Sequence, residues 1–145
     1  MELKLKLKPL TNRTKINVKF SEVDSLGIVW HGNYIRFFEE GREAFGEEFD
    51  LRYLDIYKRG YITPIVQISL DYKRPLTYGE SMIIETTYVD CEAAKIIYNY
   101  KIFRNTDKAL VVSGSSTQAF LNLERQLVLT IPPFFQKWKK KHGLT

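Results

Sequence analysis

The sequence predicts an α+β domain in which a curved antiparallel sheet wraps one long helix. Three observations predict it. From Tyr34 the apolar positions fall at Tyr34, Phe37, Phe38, Gly41, Ala44 and Phe45, the i, i+3, i+4, i+7 spacing of a helix with one buried face. From Tyr61 onward the pattern changes to runs of β-branched and aromatic residues, separated by turn residues. The turns between these runs are too short for crossover helices, so consecutive strands are most simply antiparallel. One helix and several such strands bury their apolar faces only if the sheet covers the helix.

Each element follows in order. Leu3, Leu5 and Leu7 alternate with lysines and allow either a short extra strand or a loose terminus. Ile16, Val18 and Phe20 alternate with polar residues, which predicts a half-buried strand over 14–21. The long helix runs from about 32 to 48, with Gly46 weakening its last turn. A shorter helical piece over 50–57 ends at Lys58-Arg59-Gly60. Residues 61–73 read as a strand that Pro75 ends or bends. Turns at 77–80 and 90–94 bracket a strand over 82–89, and 95–104 alternates again. After a turn at 105–108, residues 109–121 are long enough to be the central strand. A short apolar run over 127–131 precedes Pro132-Pro133, which can open a terminal helix over 134–141. No repeat or linker interrupts the chain, so 1–145 reads as one domain with 1–13 and 139–145 peripheral or frayed.

Composition narrows the function classes. A chain of 145 residues supports one sizeable core and not two. Hydrophobic residues at 44% and charged residues at 27% exclude a disordered chain. No apolar run approaches the ~18 residues of a membrane span, and the N-terminus lacks the apolar centre of a signal peptide. A cytoplasmic location is the expectation. The single cysteine, Cys91, can form no disulfide within the chain. Net charge is +5, concentrated in Lys4, Lys6 and Lys8 and in Lys137, Lys139, Lys140 and Lys141. These lysines are either solvated ends or a lure for a polyanion. Without zinc-finger spacing, a Walker loop or an RNA-binding aromatic signature, nucleic acid is the weaker partner.

The chemistry concentrates at Asp24. It sits just past a strand end, followed by Gly27 and by a helix start at His31-Gly32-Asn33. Taken alone, Asp24 is a turn residue. In this company it is a carboxylate close in sequence to unpaired helix amides, which carry partial positive charge and can bind an oxyanion. A carboxylate acts as nucleophile or as general base toward water. Together they suit hydrolysis of an activated acyl group. The His31 ring either assists proton transfer or simply shapes the site. No ligand spacing links it to His142, so no metal is expected. Glu39 lies off the apolar face, within reach of Arg36 or Arg42. Tyr34 reads as core, and Lys73 and Arg74 as solvated or phosphate-facing residues. Cys91 lacks a positioned histidine, and Ser113-Gly114-Ser115-Ser116 lacks a nucleophile-elbow pattern.

The stretch Asp24-x-x-Gly27-Ile-Val-Trp-His31-x-Asn33-Tyr34, followed by Phe37-Phe38-Glu39, resembles the signature of the hot-dog-fold thioesterases, specifically the 4-hydroxybenzoyl-CoA thioesterase and YbgC-like group. The resemblance extends through Gly60-x-x-Thr63-Pro64-Ile65-Val66 and Tyr72-x-x-Pro75-x-x-Tyr78-Gly79-Glu80, and covers about 14–138. It implies hydrolysis of an acyl-CoA thioester, with Asp24 as the catalytic carboxylate and the His31 amide polarising the carbonyl. It implies no cofactor beyond coenzyme A as part of the substrate, and a homodimer or homotetramer with active sites at subunit boundaries. It also implies Thr63 and Pro64 facing the substrate channel from the opposite subunit, and Glu39 reaching the acyl pocket. One departure stands out. Glu92-Ala93-Ala94 replaces a basic turn of the 4-hydroxybenzoyl-CoA enzyme, so nucleotide contacts would fall to Lys95, Arg74 or the lysine-rich C-terminus. The rival reading is a non-catalytic acyl-CoA or acyl-carrier binding protein of the same fold.

Overall fold

The structure is a computed structural model that describes residues 9–144. Leu3, Leu5, Leu7 and the lysines between them lie outside the described residues. The chain forms β1 (Thr11–Asn17), a 3-10 turn (Phe20–Glu22), the long helix α1 (Asn33–Phe49) and the short helix α2 (Tyr53–Lys58). It continues through β2 (Tyr61–Ile62), β3 (Ile65–Tyr72), β4 (Ser81–Val89), β5 (Lys95–Arg104), β6 (Leu110–Asn122), β7 (Leu127–Val128) and α3 (Pro133–Lys141). Among the described residues seven strands make one antiparallel sheet in which β1, β4, β5 and β6 are successive neighbours. Residues 112–118 of β6 pair with β5 on one side and with β3 on the other. Among the described residues β3 is therefore an edge.

The core lies between the sheet and α1. Phe37, Phe38 and Phe45 of the helix are fully buried. They meet Met82 and Ile84 of β4, Tyr98, Tyr100 and Ile102 of β5, and Phe120 of β6, all buried as well. Alternate residues of β4 point into this core along its whole length. Phe38 stacks face to face on Tyr100 with centroids 4.2 Å apart. α3 closes the far end of the helix: the Trp138 indole donates to the Phe49 carbonyl at 2.6 Å. The next residue, Lys139, is only 1% exposed, and its ammonium is held by Asp90 at 3.0 Å and by the Cys91 carbonyl at 2.8 Å.

Several boundaries differ from those expected. The first strand begins earlier and ends earlier than 14–21, because the ladder with β4 runs from Thr11↔Thr87 to Asn17↔Ser81 and stops where β4 begins. Beyond it the Lys19 amide donates to the Glu22 carboxylate at 2.6 Å and the chain winds into a 3-10 turn. Phe20 is thereby turned out, 76% exposed, against Tyr78. Residues 11–13, expected at a loose periphery, belong to β1, with Asn12 buried, and Lys139 is likewise core. The strand expected over 61–73 is broken at Thr63-Pro64 and resumes as β3, since proline cannot donate to a ladder. Gly46 is structural rather than a weakness. A Cβ there would meet the Arg52 backbone at 2.8 Å, so glycine lets the chain fold back on the helix end. Asp50, at φ 60°, makes that reversal and delays α2 to Tyr53. Among the described residues no helix is long and apolar enough to cross a membrane.

Candidate active site

The loop between the 3-10 turn and α1 is a small hairpin. Val23 and Val29 form an antiparallel bridge, and the Asp24 amide donates to the Ile28 carbonyl at 2.8 Å. Gly27 supplies the left-handed residue at φ 78°, and its amide donates to the Asp24 carbonyl at 2.9 Å. The hairpin is fixed on both flanks: the Trp30 amide donates to the Glu22 carbonyl at 3.0 Å, and the Val29 amide to the Leu76 carbonyl at 2.8 Å. Asp24 is half-buried, and its Oδ1 accepts from the Leu26 amide at 2.8 Å. Among the described residues its Oδ2 has no partner. One oxygen orients the carboxylate; the other is available.

α1 begins with an uncapped end. Gly32 in the N-cap position makes no side-chain capping bond. The Asn33 amide donates to the Trp30 carbonyl at 2.9 Å, while the His31 and Gly32 amides donate to nothing among the described residues. Both amides precede the first turn, His31 one residue before the N-cap Gly32, at the end of α1 where its dipole is positive. The His31 ring is exposed, tilted on Trp30 at 4.9 Å, and its carbonyl accepts from the Tyr72 hydroxyl at 2.9 Å. Tyr34 is buried, edge-on to Phe37 and Tyr72. Burial pushes its hydroxyl up to about 12, so it remains protonated at neutral pH.

One residue that holds this arrangement escaped the sequence reading. Glu22 is 4% exposed and its carboxylate meets Arg36 of α1 at 2.6 Å. Its backbone carbonyl accepts from the Asn33 side chain at 2.8 Å. No local spacing signals a pair fourteen residues apart across a loop. Arg36 is thus not the partner of Glu39, and Arg42 instead donates to the Tyr100 hydroxyl at 3.0 Å.

The remaining expected site residues lie elsewhere. Glu39, Thr63 and Pro64 line a pocket of about 340 Å³ together with Arg42, Tyr98 and Gln118. Thr63 is buried there, and the Gln118 amide donates to its carbonyl at 2.8 Å. Asp24, Gly27 and His31 do not border this pocket. Arg74 does not line this pocket either, and its guanidinium donates to the Leu110 carbonyl at 2.7 Å. Within one chain the two groups sit at opposite ends of β3, His31 at the Tyr72 end and Thr63-Pro64 just before Ile65. Eight extended residues separate those ends by roughly 25 Å. Among the described residues no group of three or more histidines, cysteines and carboxylates is placed to hold a metal.

The sequence pattern of the thioesterase-like superfamily matches residues 18–139, from the end of β1 into α3. The chain belongs to the thioesterase-like superfamily. This thioesterase is 32% identical over 127 residues to YneP of Bacillus subtilis (strain 168), provisionally named an acyl-CoA thioesterase. That alignment spans 88% of this chain and 91% of YneP. Its fold matches the DHNA-CoA thioesterase of Staphylococcus aureus with a TM-score of 0.82 at 24% identity, covering 92% of this chain and 91% of that one. It matches a 4-hydroxybenzoyl CoA thioesterase with a TM-score of 0.76 at 19% identity, covering 89% and 98%. The hot-dog fold read from the sequence is therefore the fold of this thioesterase.

Proposed function

We propose that this thioesterase hydrolyses acyl-CoA thioesters, with Asp24 as the catalytic carboxylate and the His31 amide as the oxyanion donor. The observation that carries the reading is the Asp24 side chain itself: among the described residues one oxygen is anchored on the Leu26 amide and the other has no partner, in the hairpin that leads into α1 past the free His31 and Gly32 amides. The superfamily supplies the reaction class, and YneP the most specific support for coenzyme A as the carrier.

In this reading the carbonyl oxygen of the thioester gathers negative charge that the His31 amide stabilises. Asp24 Oδ2 either removes a proton from water as it adds to the carbonyl carbon, or adds to that carbon itself. In both routes the C–S bond breaks and coenzyme A leaves as its thiolate, which takes a proton from Asp24 in the first route and from solvent in the second. In the second, water then cleaves the resulting acyl-aspartyl anhydride. Tyr34, protonated throughout, serves as a fixed wall and hydrogen-bond donor. The His31 ring is not required for either route.

The active unit in this reading is a dimer joined along β3. The outer edge of β3 is unpaired among the described residues, with Val66 59% exposed on it. Such an edge invites pairing with a second copy. Antiparallel pairing about a two-fold axis reverses one β3 against the other. It sets the Thr63-Pro64 end of one protomer beside the Asp24–His31 end of its partner, uniting groups that one chain holds roughly 25 Å apart.

The test is a panel of acyl-CoAs, ordered by chain length and including aromatic acyls, incubated with the purified protein and a thiol reagent. Thiol release that Asp24→Asn abolishes supports the proposal. Saturable binding without release favours an acyl-CoA binding protein. For the route, a single turnover in ¹⁸O-water labels the Asp24 carboxylate only if the anhydride forms.

A further inference from the structure

We propose that the groove between α2 and α3 is a second binding site, one that takes a phosphorylated nucleoside. The groove encloses about 670 Å³, a volume typical of small-molecule sites. Tyr61, Phe134 and Trp138 line it with aromatic surface. The Tyr61 and Phe134 rings are half-buried with centroids 5.5 Å apart, which leaves exposed ring surface for a planar base to stack on. Lys58, Arg59 and Lys137 share the same lining.

Charge selects the ligand. The acidic residues of the groove already have partners: Asp50 lies 3.2 Å from Lys141, and Asp55 lies 3.1 Å from Arg52. The Asp55 carboxylate also feels the charge of Lys58 without pairing with it. Among the described residues Lys58, Arg59 and Lys137 form no ion pair. Three cations beside apolar rings repel one another, and a phosphate group offers each a charge-assisted hydrogen bond. The wall that carries Lys137 is fixed by the Trp138–Phe49 bond and by the buried Lys139 behind it.

The groove also has a neighbour. Leu51 lines both it and the pocket of Glu39 and Thr63. The two cavities therefore adjoin across the buried Leu51. That the nucleotide is the end of the substrate itself rests on the acyl-CoA reading; a free nucleotide is the other source of the same chemistry. Arg74, an expected phosphate contact, is engaged with the Leu110 carbonyl, which leaves this groove the stronger candidate.

The test titrates the protein with adenosine 3′,5′-bisphosphate and with ATP by calorimetry, and repeats both with Arg59→Glu/Lys137→Glu. Both side chains are exposed and form no ion pair among the described residues, so the fold is retained, which circular dichroism checks. Saturable binding weakened about tenfold or more in the variant supports the site. Acyl-CoA and acyl-pantetheine hydrolysis then separate the sources. A raised KM for acyl-CoA with unchanged kcat, and no change for acyl-pantetheine, assigns the groove to the substrate's nucleotide. Lost nucleotide binding with unchanged KM assigns it to a free nucleotide. No binding by the unsubstituted protein, or equal binding by the variant, overturns the proposal. Absence of thioester hydrolysis overturns the reading of function and leaves the calorimetric result standing.

Discussion

The Arg36 guanidinium meets the Glu22 carboxylate at 2.6 Å, and through this pair the first turns of α1 are tied to the 3-10 turn from which the Asp24 hairpin springs. Glu22 is buried while Arg36 is about half exposed. Arg36→Ala leaves a buried carboxylate held by the Lys19 amide alone, a loss of about 1–3 kcal/mol. Urea unfolding should show that loss. Because the hairpin is positioned by the same contact, kcat should fall with it. Lysine at 36 should restore part of both, and a variant with unchanged stability and kcat would show the pair to be idle.

Asp24→Asn keeps the shape of the side chain and its bond from the Leu26 amide, but removes the basic oxygen. A carboxylate acting as base or nucleophile accounts for about 10²–10⁴ in rate. The expected result is a fall of that size in kcat with KM little changed, since only the transition state loses an interaction. Steady-state thiol release measures both. Turnover near that of the unsubstituted protein would remove Asp24 from the mechanism.

Val66, exposed on the open edge of β3, tests the two-copy site. Val66→Glu places like charges close together wherever two β3 strands pair antiparallel, which opposes association. Sedimentation should report a monomer, and thiol release should fall with the dimer because Thr63 and Asp24 are then no longer brought together. A variant that sediments as a monomer and keeps full activity would show that each chain holds a complete site.

How far these relationships can be read from the sequence depends on their range. β5 was legible to the residue because its alternation runs without interruption from Lys95 to Arg104. The apolar stripe of α1 was equally plain. The alternation through Phe20 misled, because a strand ends where its partner ends and not where its own pattern does; β4 begins at Ser81, opposite Asn17. At the candidate site, Asp24, Gly27 and the free amides at His31 lie within eight consecutive residues and were legible together. The Glu22–Arg36 pair was not, since a contact across a loop leaves no periodic trace. Nor did composition show that Glu39, Thr63 and Pro64 share one pocket apart from Asp24; that follows from the length of β3.

Gly46 offers a test of the fold apart from the chemistry. Gly46→Ala would drive a methyl group to 2.8 Å from the Arg52 backbone, and backbone yields less readily than a side chain. Overpacking of this kind costs about 1–3 kcal/mol, more than alanine's better helix propensity returns. Thermal unfolding should therefore shift downward while kcat and KM at the permissive temperature stay the same. A stabilised variant would mean that the return of the chain after α1 is looser than the packing implies.

Tyr34 carries a prediction in pH. Burial raises its hydroxyl to about 12 from the ordinary 10.0. Below pH 10 both folded and unfolded chains hold this proton, and Tyr34 gives stability no pH dependence. Between about pH 10 and 12 the unfolded chain releases the proton and the folded chain keeps it, so stability falls as pH rises. Tyr34→Phe removes that contribution and should make the alkaline slope shallower by about one proton. Denaturant midpoints at several pH values across this window give the slope. Tyr98 and Tyr100 are raised by burial as well, so a residual slope persists in the variant. An unchanged slope would mean that the Tyr34 hydroxyl reaches water in the folded protein.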